Sequence, residues 1–252
     1  MPSVRKEVSV VIPAYNEEKR IARTLRSVYD YLSEHNYKFE IIVCDDGSTD
    51  GTAAVVNGFI HMTHVDDKQH FIHLIGYGEN KGKGAAIRYG AKIAASQNVL
   101  LMDADSSVPI EYIEKLFDAD CDIAIGSRRI EGSIISTPQP FHRVWSGYAF
   151  SYLVRLLALP GVKDSQCGMK LFKKYNTHIF ESQTIDGFGF DVELLYIARK
   201  MKLRIKEVPV LWANDKDSKV KIIKHSLLMF SDIIKIRWND LRGRYDSWIR
   251  VR

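Results

Sequence analysis

A chain of 252 residues with 46% hydrophobic side chains is long enough to bury a sizeable core, which excludes a disordered or low-complexity protein. Its three cysteines, Cys44, Cys121 and Cys167, are odd in number and far apart, which argues against a disulfide framework or a zinc cluster and for a reducing cytoplasm. No run approaches the ~18–20 apolar residues of a membrane span and Met1–Glu7 lacks a signal core, so an integral or secreted protein is not expected; the net charge of +5 is modest, but Lys and Arg crowd into the segment from Lys216 onward, which suits an anionic surface.

In chain order, Val8–Ala14 is a β-branched apolar run reaching Pro13 and predicts a buried strand. Pro13-Ala14-Tyr15-Asn16-Glu17-Glu18 follows as a polar loop, and helical periodicity runs over Glu17–Glu34. Ile41–Cys44 predicts the second strand. The loop behind it, Asp45-Asp46-Gly47-Ser48-Thr49-Asp50-Gly51-Thr52, has two readings. One is a turn with a helix N-cap, which these residue types favour; the other is a pair of carboxylates accepting hydrogen bonds from a nucleobase or ribose. A helix from Thr52 to about His61 and a strand over Phe71–Ile75 come next. His61, His64, His70 and His73 crowd here, but they straddle a helix end and a strand and read as surface or packing residues.

Gly78-Glu79-Asn80-Lys81-Gly82-Lys83-Gly84 opens a helix over Lys83–Ser96. Its glycines let the backbone approach a ligand, and the helix N-terminus with two lysines favours a diphosphate; the spacing is neither that of a Walker loop nor that of the dinucleotide fingerprint. Val99–Met102 then delivers Asp103-Ala104-Asp105, two carboxylates at the end of a buried strand. Oxygen ligands of this kind suit Mg²⁺ or Mn²⁺ with substrate phosphates completing the shell, and a plain pair of loop acids is the alternative. Pro109–Phe117 predicts a helix and Ile123–Ile125 a fifth strand. The alternation implies an α/β fold, a mainly parallel sheet flanked by helices that binds ligands beyond the carboxyl ends of its strands. One domain is expected over 1–213, followed by a basic amphipathic segment over 214–252.

Taken together, Val10-Val11-Ile12-Pro13-Ala14-Tyr15-Asn16-Glu17-Glu18, the Asp45–Thr52 loop, Asn80-Lys81-Gly82-Lys83-Gly84 and Asp103-Ala104-Asp105 occur in an order that resembles glycosyltransferase family 2. Gly126-Ser127-Arg128, Asp164-Ser165-Gln166-Cys167-Gly168-Met169-Lys170-Leu171-Phe172, Phe190-Asp191-Val192-Glu193-Leu194-Leu195 and Glu207-Val208-Pro209-Val210 resemble its dolichyl-phosphate glucosyltransferase branch. The Gln-Cys-Gly-x-Lys-Leu-Phe pattern is closer to the glucose-transferring members than to the mannose-transferring ones, which carry a Gly-x-Arg form. The resemblance implies a GT-A type, Rossmann-like fold and an inverting transfer of a hexose to a polyprenyl or dolichyl phosphate. UDP-glucose is the first choice of donor; GDP-mannose, or a soluble saccharide as acceptor, is the alternative.

Residue by residue, the resemblance places Pro13, Tyr15, Glu17, Asp45, Asp46, Lys83, Asp103 and Ala104 at the nucleotide-sugar, with Asp45 and Asp46 on base and ribose. Asp103 and Asp105 hold the metal against the diphosphate, and Asp105 and Asp164 are the catalytic pair, Asp164 as base or electrostatic organiser near the acceptor. Arg128, Arg143 and Lys219 are assigned to the lipid phosphate, where the fork of an arginine suits an oxyanion. Ser106-Ser107 after the metal pair offers no obvious third side-chain ligand. Eukaryotic members of the branch begin with a membrane-spanning helix that is not seen here, so a peripheral protein on the cytoplasmic face of a membrane is expected.

Phe141–Leu159 and Ile222–Trp238 interleave large apolar residues with Arg and Lys, as segments lying in a bilayer interface do. From periodicity alone they equally suit helices packed on the protein's own core or on a second subunit, which leaves an oligomer open. No nucleic-acid motif accompanies the basic tail. Cys167 reads as packing rather than as a nucleophile, while Asp191 and Glu193 read either as catalytic groups or as acids of a helix N-terminus.

Overall fold

The computed structural model describes residues 6–66, 71–137, 141–173, 178–213 and 222–246. Strands β1 (Glu7–Ala14), β2 (Lys38–Asp45), β3 (Phe71–Gly76) and β4 (Asn98–Leu101) alternate with helices α1 (Ile21–Glu34), α2 (Thr52–Asp66) and α3 (Lys83–Ile93). A 3₁₀ turn over Ile110–Tyr112 leads into α4 (Ile113–Asp118), and β5 (Ile123–Ser127), β6 (Ile134–Ile135), α5 (Phe141–Leu157) and β7 (Lys170–Lys173) follow. The described chain continues with α6 (Ile179–Ser182), α7 (Phe190–Lys200), β8 (Ile205–Pro209), β9 (Leu211–Trp212) and α8 (Ile222–Leu241).

The main sheet has the order β3-β2-β1-β4-β7-β5-β8 and is parallel except for β7, which runs antiparallel between β4 and β5. A short parallel pair, β6 and β9, lies beside it. Both faces of the sheet are covered, which is why its strands read as continuous apolar runs. Val8, Val10 and Ile12 of β1 turn to one face with Ile21, Leu25, Val28 and Leu32 of α1. Val11, Ile42, Val99 and Leu101 turn to the other, against α3, α5, α7 and α8.

The predicted elements shift at their ends. α1 begins at Ile21 rather than Glu17: residues 18–20 form a turn in which the Arg20 and Ile21 amides donate to the Glu17 carbonyl, and Arg20 at φ −119° caps the helix that follows. α2 runs on to Asp66, α3 stops at Ile93, and the Pro109–Phe117 helix is split by its 3₁₀ turn. The segment 214–252, expected as a membrane-surface appendage, shares the second core: Ile233, Ile236 and Tyr245 are fully buried there. The opposite face of α8 leaves Leu228, Ile234, Trp238 and Leu241 exposed. No helix among the described residues is long and apolar enough to cross a membrane.

Candidate active site

β1 and β4 pair in parallel through Ser9–Val11, so the loops beyond their carboxyl ends meet over the same edge. A cleft of about 390 Å³ opens there, lined by Pro13, Ala14, Tyr15, Glu17 and Arg20 from the first loop, Asp46, Asn80, Gly82 and Lys83 from the next two, Asp103, Ala104 and Asp105 behind β4, and Phe188. Seven of the eight residues assigned to the nucleotide-sugar, and both assigned to the metal, lie on its walls. Asp45 is not among them. Its Oδ1 accepts from the Ser48 amide at 2.9 Å, so it makes the turn that was the other reading of this loop.

The first two loops are latched together. The Asn16 amide donates to Ser48 Oγ at 2.9 Å, the Thr49 amide to Asn16 Oδ1 at 2.8 Å and the Gly51 amide to Glu18 Oε2 at 2.8 Å. Asp46 is buried and accepts from three donors: Tyr77 Oη (2.7 Å), the Lys81 amide (2.8 Å), and the Gly82 amide, which is shared between both carboxylate oxygens (3.1 and 2.9 Å). Two of the three come from the glycine loop, so Asp46 shapes that loop as well as the cleft wall.

The diphosphate cradle expected at the start of α3 takes a different form. The amides of Gly84 and Ala85 donate to the Asp186 carbonyl at 2.7 and 3.2 Å, and those of Lys81 and Gly82 are held by Asp46. These four backbone donors are therefore paired within the protein, and the Lys83 ammonium lies in the cleft wall. A Cβ on Gly84 would meet the Ile185 carbonyl at 2.5 Å, which is what the glycine permits here: close packing of the 185–186 backbone.

Lys83 Nζ lies 2.6 Å from Asp103 Oδ1. Burial disfavours charge on both, but each outweighs it for the other: the Asp103 carboxyl is held below its ordinary value and the Lys83 ammonium above its own. Asp105 moves the opposite way, raised by burial and then by the charge of Asp103. Two carboxylates with opposed shifts in one wall form an anionic pair that a cation would stabilise. Among the described residues no three His, Cys, Asp or Glu side chains converge as a cage. The donor set therefore fits a hard divalent ion that takes two carboxylates and completes its shell with ligand phosphates and water.

Gly168 packs on the back of this site. A Cβ there would sit 2.1 Å from Asp103 Oδ2, so only glycine lets the 164–169 loop pass behind the carboxylate. The same loop carries Asp164, whose carboxylate is buried and accepts from the Arg128 amide (2.9 Å), Nε (2.7 Å) and Nη2 (2.8 Å). Burial disfavours its charge, yet Arg128 overrides this and holds the carboxyl at about 2. The Asp164 amide donates to Glu207 Oε1 at 2.9 Å, and the Arg128 guanidinium stacks 5.3 Å from the Trp212 ring centre. Arg128 is thus engaged in the protein. The side chain of Arg143 and the whole of Lys219 lie outside the described residues.

Asp191 and Glu193 start α7, and both are buried. Asp191 pairs at 2.5 Å with Lys170, itself fully buried. Glu193 accepts from the Thr184 and Ile185 amides and from Tyr245. All three cysteines are free and buried; burial, then the charge of Asp164, pushes the Cys167 thiol up to about 11, as suits a packing residue. Arg20 and Phe188 line the cleft without having been singled out in the sequence. Arg20, bound to Glu17 through Nε and Nη2 at 2.6 Å each, had a signal in its i, i+3 spacing from an assigned residue. Phe188 had none, since it lies far along the chain from the metal pair.

With this geometry in place, residues 9–179 match the profile of glycosyl transferase family 2. The chain belongs to glycosyl transferase family 2. It is 37% identical over 246 residues to the dolichyl-phosphate beta-glucosyltransferase of Drosophila melanogaster, covering 91% of this chain and 74% of that one. It is 35% identical to the Homo sapiens protein of the same name, covering 96% and 78%. Among solved structures it resembles glucosyl-3-phosphoglycerate synthase from Mycobacterium tuberculosis in complex with Mn²⁺ and uridine-diphosphate-glucose, at 17% identity, TM-score 0.65 and coverage of 92% and 79%. The sheet order and its one antiparallel strand make the family 2 fold here the GT-A type.

Proposed function

We propose that the chain transfers glucose from UDP-glucose to a dolichyl or other polyprenyl phosphate, with inversion. The observation that carries this reading is the Lys83, Asp103 and Asp105 wall of the cleft, intact in a chain whose relatives are named dolichyl-phosphate beta-glucosyltransferases. The Mn²⁺ and uridine-diphosphate-glucose bound to the related synthase support the donor and the cation. Asp103 and Asp105 would hold Mg²⁺ or Mn²⁺, which would supply positive charge to offset that of the departing diphosphate. Lys83 stands beside it as a second positive group, and Asp46 keeps the glycine loop in the shape that admits the nucleotide.

In the transfer, an acceptor phosphate oxygen attacks the anomeric carbon of the α-linked donor. The bond to the UDP oxygen breaks with its electron pair leaving on UDP, and the product is β-linked. A phosphate dianion needs no deprotonation, which fits an Asp164 that is fully hydrogen-bonded and held at about 2. Asp164 is therefore an organiser rather than a base: it fixes Arg128, which keeps three of its five guanidinium N–H groups beyond those given to Asp164. The decisive experiment is product analysis with Mn²⁺, a short polyprenyl phosphate and either UDP-glucose or GDP-mannose. Lipid-linked glucose from UDP-glucose is expected; transfer only from GDP-mannose, or only to a soluble saccharide, would replace the reading.

The acceptor is a lipid, and the apolar faces supply a place to meet it. α5 has no acidic residue, and Trp145, Tyr148, Tyr152 and Leu156, each more than half exposed, form one stripe along it. Exposed Ile234 and Trp238, with Lys235 and with Arg242 just past the helix end, continue this character on α8, which packs against α5. Aromatic and basic side chains of this kind suit a headgroup layer, so the protein is read as peripheral on the cytoplasmic face of a membrane; its free cysteines agree with a reducing compartment. Flotation with anionic liposomes is expected, and to fall several-fold for the W145A/Y152A pair; unchanged flotation would remove these faces from the contact.

A further inference from the structure

The donor cleft has one wall that comes from none of the β1, β2, β3 or β4 loops: Phe188, in the segment between α6 and α7. The same segment supports the helix that presents Lys83. The Asp186 carbonyl accepts from the Gly84 and Ala85 amides, and the Asp186 carboxylate pairs with Arg88 at 2.7 Å. Gln183 Nε2 donates to the Gly84 and Ile185 carbonyls at 2.8 Å each. A shift of residues 184–188 would therefore move both the Phe188 wall and the first turn of α3.

This segment is held by one buried carboxylate. Glu193 Oε2 accepts from the amides of Thr184 (2.9 Å) and Ile185 (2.8 Å), while Oε1 accepts from Thr184 Oγ1 (2.6 Å) and Tyr245 Oη (2.7 Å). The other end of the network comes from α8 and the turn after it. Asn239 Nδ2 donates to Thr184 Oγ1 at 2.9 Å and to Tyr245 Oη at 3.3 Å. Gly189 lies so close to Asp232 of α8 that a Cβ would meet its carboxylate at 2.4 Å. Glu193, Asn239 and Tyr245 are all buried, so the hydrogen bonds among them lie in a low-dielectric setting that strengthens them.

We infer that Phe188 contacts the bound nucleotide-sugar, and that Glu193 is a positioning residue which, through Asn239 and Tyr245, makes the C-terminal helix part of the donor site. The inference rests on the reading of the cleft as the UDP-glucose site. It gives α8, beyond its exposed apolar face, a second role in fixing the wall against which the donor closes.

The test uses the full chain and three variants. Tyr245→Phe removes the hydroxyl donor to Glu193 but keeps the ring; Phe188→Ala removes the wall; Asp246→Asn is a control that breaks a nearby ion pair, Lys200–Asp246, without touching Glu193. UDP binding with Mn²⁺ is measured by calorimetry, alongside melting temperature and amide exchange without nucleotide. Phe188→Ala is expected to weaken UDP about tenfold and Tyr245→Phe about fivefold, the second being about 1 kcal/mol of a lost hydrogen bond to a charged group. Asp246→Asn should stay within about twofold. The two effects should be sub-additive in the double variant, because Tyr245 acts through the segment that carries Phe188.

Exchange at the Thr184, Ile185, Gly84 and Ala85 amides should rise in Tyr245→Phe and not in Asp246→Asn. Unchanged protection there, or Tyr245→Phe and Asp246→Asn weakening UDP equally, would overturn the positioning role. Wild-type-like UDP binding by Phe188→Ala would overturn its contact. If the wild type bound no UDP while exchange rose as expected, the donor assignment would fail and the coupling of α8 to the cleft would stand.

Discussion

Asp103 follows β4 and Asp164 precedes β7, its antiparallel neighbour, and each is bound by a cation, yet the two pairs differ in kind. The Lys83–Asp103 pair sits in the wall of an open cleft with roughly a quarter of each side chain exposed, and Asp105 beside it is pushed toward its neutral form. The Arg128–Asp164 pair has its carboxylate 2% exposed, grips through two side-chain bonds and one backbone bond, and is fixed further by Glu207. The first has charge that an incoming ligand can rearrange; the second is complete without one. On the proposed function, donor-side electrostatics are therefore adjustable and acceptor-side electrostatics are built into the fold.

The sharpest way to break that contrast is at the adjustable pair. Asp103→Asn or Asp105→Asn should lower turnover by about 10³-fold or more, since each removes a carboxylate from the site proposed to hold a cation against a diphosphate. The melting temperature should move by only a few degrees, because both side chains face the cleft. Chelation should abolish wild-type transfer, with recovery on adding Mn²⁺; full activity in chelator would sink the metal role. Next in size is Gly168→Ala. Its methyl would press on Asp103 at 2.1 Å, so a loss of about 100-fold in kcat with intact folding is expected, and wild-type kinetics would mean that Asp103 can move freely.

How much of this was legible from residues alone follows the same division. The cleft is built from short loops after apolar strands, each local in sequence, so Asp46, Lys83, Asp103 and Asp105 could be placed on its wall from their positions. What hydrogen-bonds to them could not: the Gly84 and Ala85 amides find their partner far along the chain, at Asp186. β7 went unread because Lys170-Leu171-Phe172-Lys173 carries two lysines and is short; the distant Asp191, with the Cys167 carbonyl, makes it reasonable to bury Lys170. Arg128 and Asp164 were each identified and given separate roles, since nothing in a sequence states that residues 36 apart form one bidentate pair. The amphipathic pattern of α8 suited a bilayer and a core equally, and the helix has one buried and one exposed apolar face.

The smallest effect expected concerns the fixed pair and is read in stability. The Asp164 carboxyl is held at about 2 in the folded chain, against about 3.9 in an unfolded one. A depressed folded value stabilises the protein above the unfolded value, and that stabilisation is lost as pH falls through the folded one. The window therefore lies between about pH 4 and pH 2, and the loss across it is about 2–3 kcal/mol. Asp164→Asn cannot titrate there. It should be less stable than wild type at pH 7, by about 3 kcal/mol, because Arg128 is left without its carboxylate. Urea unfolding at pH 5 and pH 2.5 should then show the gap between the two proteins closing in acid. A gap that stays constant would mean that Arg128 does not hold Asp164 ionised, and the contrast between an adjustable and a fixed pair would lose its fixed half.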